Sequence, residues 1–137
     1  MSFSNVFDIA GSAMNAQTVR LNTTASNMAN AGSVSGNPDN VYRPLMPVFA
    51  TESNSFNNKS GVAEVRLKAV IESMAEPQKI HQPDHPEADA DGYVYASNVN
   101  VVEELTNMIS ASRSYQNGVE MISTAKDLLL QTLSLGR

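Results

Sequence analysis

The side chains best suited to chemistry are concentrated in one short stretch of the chain. His81, Asp84, His85, Glu87, Asp89 and Asp91 fall within eleven residues, and imidazole together with carboxylates suits several divalent cations. The run Glu87-x-Asp89-x-Asp91-Gly92 matches the opening of a calcium loop. The match then fails. The twelfth position is Asn98 instead of a bidentate Glu, the first is Glu instead of Asp, and the downstream residues read as a strand instead of a helix. A solvated or turn-capping role is therefore the preferred reading, and no residue is assigned as a metal ligand. The chain has no Gly-rich phosphate loop, no nucleophile elbow and no Cys, and two histidines close together in a loop do not define an acid–base pair. No catalytic residue and no cofactor are expected.

Composition narrows the remaining classes. At 137 residues the chain has room for one modest core. Its charged fraction of 17% is low, its net charge is -5, and its Lys and Arg residues are scattered. A nucleic-acid partner, which needs a concentrated basic surface, is not expected. No basic residue precedes Arg20 and Asp8 interrupts the first apolar stretch, so a cleaved signal peptide is not expected either. No apolar run reaches the length of a membrane span, and direct membrane insertion is not expected.

The elements that would carry any site are two long helices with a short strand and loop segment between them. Over residues 1–31, Phe3, Phe7, Ala10, Met14, Leu21 and Met28 recur at helical spacing in a seven-residue frame, with Gln17 and Thr24 filling the other positions. Such a helix is roughly 40 Å long, more than a small globule covers. Only Asp8 and Arg20 are charged in it, so its Ser, Asn, Gln and Thr face is expected to contact protein as well.

Residues 32–99 form the middle segment. Gly36-Asn37-Pro38-Asp39 is turn chemistry, Val65, Leu67, Ala69 and Ile71 alternate as one face of a strand over 62–71, and a second strand is expected at Tyr93–Ala96. The stretch from Pro77 through Asp91, with three prolines, reads as a loop. In residues 100–137, Asn100 can cap a helix and Glu103 can reach back to its amide, as in a capping box. A wide stripe follows through Leu105, Ile109, Tyr115, Val119, Ile122, Leu129 and Leu133.

The fold expected is mainly α with a small β insertion, the terminal helices pairing as an antiparallel-type coiled coil within one structural unit. The contact residues are Phe3, Phe7, Met14, Leu21 and Met28 on the first helix and the stripe just named on the last. Tyr42, Tyr93, Tyr95 and the seven methionines are read as packing residues.

Specific motifs add to this pattern. Asn5-Val6-Phe7-Asp8-Ile9-Ala10-Gly11-Ser12-Ala13-Met14, then Arg20-Leu21-Asn22 and Ala25-Ser26-Asn27-Met28-Ala29-Asn30-Ala31, resemble the N-terminal motif of the flagellar axial rod and hook proteins. His85-Pro86-Glu87-Ala88-Asp89, Asp91-Gly92-Tyr93-Val94 and Asn98-Val99-Asn100-Val101-Val102-Glu103-Glu104 are similar to a stretch particular to the C-type proximal rod subunits. Met108-Ile109-Ser110-Ala111-Ser112-Arg113-Ser114-Tyr115-Gln116 resembles the shared C-terminal axial helix. Asp84 and Ala96-Ser97 depart from the family's usual Gly and Pro, which touches local turn geometry only.

The resemblance implies a structural part of the proximal rod of the basal body, in the periplasm, helping to form a torque-transmitting shaft and its export channel. It implies partners among copies of the same chain and other rod proteins, with the membrane-ring base and rod adaptor as further neighbours. Delivery would be through the flagellar type III export apparatus without cleavage. Two other readings stand beside it: a soluble helical adaptor, and a small metal-binding loop protein.

Overall fold

A computed structural model describes residues 3–53 and 63–136. Helix α1 spans Phe3–Ala29 and helix α2 spans Val101–Leu135. Between them come strands β1 (Val34–Ser35), β2 (Leu45–Ser53), β3 (Ala63–Glu72), β4 (Gln78–His81) and β5 (Tyr93–Ala96). Val62, where the alternating pattern begins, lies outside the described residues.

The helices run antiparallel. Asn27 near the end of α1 bonds Glu104 in the first turn of α2, Met14 lies against Gly118, and Phe3 and Val6 share a groove with Met121, Ala125 and Leu128. On α2 the less exposed positions Met108, Ala111, Gly118, Ile122, Ala125 and Leu129 are three, four or seven residues apart, the spacing that keeps one helical stripe facing one partner. Ala111, Gly118 and Ala125 recur every seven residues along it, so the backbones can come close. A Cβ built on Gly118 would stand 2.6 Å from Met14 Cγ.

Part of the polar face of α1 packs against the β2–β3 ribbon, while Asn15, Thr18 and Asn22 on it remain exposed. Ser12 Oγ donates to the Ile9 carbonyl and accepts the Val65 N–H, and the Arg20 guanidinium lies over the Phe49 ring. Ser12 thereby meets one of the free edge amides that an unpaired strand leaves exposed.

The ribbon differs from the expected strand in two ways. Its partner strand β2 is not signalled by composition, because Pro44 precedes it and Pro47 interrupts it; Pro47 is tolerated because, among the described residues, β2 pairs with β3 alone and keeps one free edge. The register also shifts: Val48 pairs with Ala69 but Phe49 with Leu67, leaving Lys68 as the extra residue of a β-bulge. Since side chains alternate strictly along a strand, that insertion splits the expected face. Val65 and Leu67 share a side with Phe49, whereas Ala69 and Ile71 point the other way with Met46.

The remaining strands form a three-stranded antiparallel sheet in the order β1-β5-β4, and the Ser97 N–H extends it to the Ser33 carbonyl. With β5 central, Val94 is completely buried. Strand β4 corrects the reading of Pro77 through Asp91 as loop throughout. Its four residues carry no β-branched run and are hemmed by prolines, so only pairing with β5 reveals it.

Two glycine substitutions test the helix packing. Gly118→Leu is expected to lower stability by about 1–3 kcal/mol by driving into Met14. Gly11→Ala, whose Cβ meets nothing within 4 Å, is expected to raise it by about 0.5–1 kcal/mol through helix propensity. Thermal unfolding followed by circular dichroism measures both.

Candidate assembly surface

The cluster from His81 to Asp91 is occupied by turn building. Asp89 Oδ1 accepts the N–H groups of Asp91 (3.0 Å) and Tyr93 (2.8 Å), and His85 Nδ1 accepts the Glu87 N–H (3.1 Å). The His81 ring stands edge-on to Tyr93, 4.9 Å between centroids. Gly92 sits at φ 78°, where a side chain would strain the backbone, with Pro83 packed where its Cβ would be. The loop also meets β1's side of the sheet, since a Cβ on Gly36 would run into the Glu87 carbonyl oxygen. Among the described residues no three His, Asp or Glu side chains converge on a point that could hold a metal ion.

At the head of α2, Asn100 occupies the N-cap and its side-chain oxygen accepts from the N–H groups of Val102 (3.1 Å) and Glu103 (3.4 Å). No hydrogen bond returns from Glu103 to the Asn100 amide among the described residues, so only one arm of the capping box is formed. The Glu103 and Glu104 carboxylates still stand in the first turn, where the helix dipole favours negative charge.

The stripe residues separate into two groups. On α1, Phe7, Met14, Leu21 and Met28 are half-buried and Phe3 is exposed. On α2, Ile122 and Leu129 are half-buried toward α1, while Leu105, Ile109, Tyr115, Val119 and Leu133 remain 38% to 63% exposed. Apart from Tyr115, which borders the seam, these exposed residues join Val102 and Leu130 in an apolar row along one flank of the helix pair. Met121, Leu128 and Leu135 form a second row on the opposite flank, where Phe3 and Val6 help to line an open groove of about 480 Å³. No helix among the described residues is long and apolar enough to cross a membrane.

The sequence reading missed Asn27. This side chain is 1% exposed and makes four hydrogen bonds. Its Nδ2 donates to the Leu45 carbonyl and to Glu104 Oε1, both at 3.0 Å. Its Oδ1 accepts from the Leu45 N–H (2.8 Å) and the Tyr42 hydroxyl (2.9 Å). Ser26 Oγ stands 3.1 Å from that hydroxyl. The only signal in the sequence is an amide among small residues near a helix end, which nothing distinguishes from an ordinary helix stop.

Comparison with known proteins completes the description. Residues 7–36 match the family model described as flagella basal body rod protein, and residues 90–135 match the flagellar basal body rod FlgEFG protein C-terminal model. The chain is 48% identical to the flagellar basal-body rod protein FlgC of Yersinia enterocolitica and 46% identical to that of Salmonella typhimurium, each over 100% of both chains. It is 38% identical to the protein of the same name from Buchnera aphidicola subsp. Acyrthosiphon pisum over 98% of each. Matches of this extent, ending on the two helices and running through the middle segment, place the chain in the FlgC family of flagellar basal-body rod proteins, as a structural component of the rod.

Proposed function

We propose that this chain is a wall element of the proximal rod whose uncovered apolar rows on α2 are buried by copies of itself and by other rod proteins. In this reading α1 and α2 pair as an antiparallel coiled coil, and residues 1–31, 32–99 and 100–137 act as one unit. The observation that carries it is the distribution of apolar side chains on α2, which extends to both flanks of the seam that α1 occupies. Torque would pass through side-chain packing between neighbouring subunits, which suits a shaft because close-packed interiors yield little under load. The reading assigns the chain no reaction and no cofactor.

Two sets of charged substitutions separate assembly from folding. Leu105→Asp and Ile109→Asp, at exposed positions, are expected to change monomer stability by no more than about 0.5 kcal/mol yet to abolish rod assembly and swimming. Leu21→Asp and Ile122→Asp are expected to lose assembly and also roughly 2–5 kcal/mol of stability, since they face the helix seam. Swimming assays and unfolding curves on the same variants check this, and normal swimming with Leu105→Asp and Ile109→Asp would contradict the proposed surface.

His85→Ala is expected to leave assembly intact. Calcium or zinc is expected to leave the melting temperature unchanged, because a site with useful affinity would raise it in proportion to the logarithm of ion concentration.

A further inference from the structure

The Asn27 carboxamide joins three parts of the chain that are far apart in sequence: the last turn of α1, the first residue of the β2–β3 ribbon and the first turn of α2. We infer that Asn27 is a positioning residue that sets the orientation of the ribbon on the helix pair. Both backbone groups of Leu45 bond the one side chain, N–H to Oδ1 and carbonyl from Nδ2. A two-point contact of this kind fixes rotation about the strand as well as its position, as a neighbouring strand would. The third point, Glu104, prevents the amide from turning, because the flipped amide would set oxygen against two acceptors.

Two other contacts hold the ribbon further along, Ser12 to the Val65 N–H and Arg20 over the Phe49 ring, whereas Asn27 alone bonds both backbone groups of the ribbon's first residue. Along β3 only Glu64 and Val65 are half-buried. The Asn27 side chain itself is almost wholly enclosed, so its lost bonds are not freely replaced by bulk solvent. This inference concerns the isolated chain and stands whether or not the apolar rows of α2 are the rod contacts.

Aspartate has the shape of asparagine without its donors, so Asn27→Asp is the sharpest probe. At neutral pH the introduced carboxylate faces the Leu45 carbonyl and the Glu104 carboxylate. The other charged or titratable groups near it are Tyr42, which donates to it, and Arg20 and Glu103, which line the cleft that its partners Leu45 and Glu104 also line. Burial and Glu104 both raise the folded-state pKa of the introduced group above its unfolded value. Its neutral form is therefore favoured by folding, so the variant's deficit is largest at neutral pH and shrinks as pH falls through the carboxylate range. Adding Glu104→Gln supplies a donor to the introduced carboxylate and removes the repulsion.

The experiment uses the full chain, which has no native cysteine, with spin labels at Lys68→Cys on the ribbon and Lys126→Cys on α2. Asn27→Asp at pH 7 keeps an acceptor for the Leu45 N–H, but its repulsion of the Leu45 carbonyl and of Glu104 is expected to open the contact, speeding hydrogen exchange at the Leu45 amide by about tenfold or more and broadening the label-to-label distance distribution. Acidification to about pH 4, near the carboxylate range, and the added Glu104→Gln substitution are each expected to restore both. If the single variant unfolds at pH 7, recovery by either route still supports the inference. Unchanged distances despite faster exchange at Leu45 would overturn it, as would the absence of recovery with Glu104→Gln.

Discussion

A helix of 35 residues cannot bury apolar residues on its seam and on both flanks against one helix of 27. The small residues Ala111, Gly118 and Ala125 make the best of the seam by bringing the backbones together, and Ala111 is completely buried there. That closeness is local to the seam. It leaves Leu105, Ile109, Val119 and Leu130 on one side and Met121 and Leu128 on the other about half exposed, the latter two only flanked by Phe3 and Val6. Exposed apolar rows of this kind are the surface that the proposed association between subunits would cover. The surface follows from the sequence of α2 alone and would exist whatever the middle segment did.

The middle segment solves a different problem. Helix α1 carries few charges, and the ribbon covers part of its polar face, where Ser12 meets an edge amide, while Asn15, Thr18 and Asn22 stay exposed. The three-stranded sheet then closes through Asp89 and Gly92, so that the most chemically suggestive stretch of the chain is committed to holding a turn. Polar side chains that bond backbone groups in this way are worth roughly 1 kcal/mol each, which secures a loop without building a reactive site. Asn27 bonds the head of the ribbon at Leu45 and the first turn of α2 at Glu104 from the last turns of α1.

How much of this could be read from the residues depends on whether the deciding contacts are local. The end helices were legible because Asn100 caps α2 and because spacings of three and four persist over many turns. Strand β5 was legible from Tyr93-Val94-Tyr95. Strands β2 and β4 were not, since Pro47 argues against a strand until its partner is known to lie on one side only, and Gln78-Lys79-Ile80-His81 has no strand signature of its own. The bulge at Lys68 depends on pairing with β2 and cannot be seen in β3. Of the residues chosen as contacts, those on α2 proved to be of two kinds, facing α1 or facing outward, because a wide stripe on a helical wheel does not say which part a single partner takes. Asn27 was invisible for the same reason, as its partners are 18 and 77 residues away.

The most direct test of the central claim is the accessibility of α2 in the free chain and in the assembled rod. Single cysteines placed at Leu105, Ile109, Val119 and Leu130 can be labelled with a maleimide, with no background from the parent chain, in purified monomer and in isolated basal bodies. Fast labelling at all four in the monomer and strong protection in the basal body is the expected result. Equal labelling in both would mean that the outward row of α2 stays bare in the rod, and the account of what the long helix is for would be wrong.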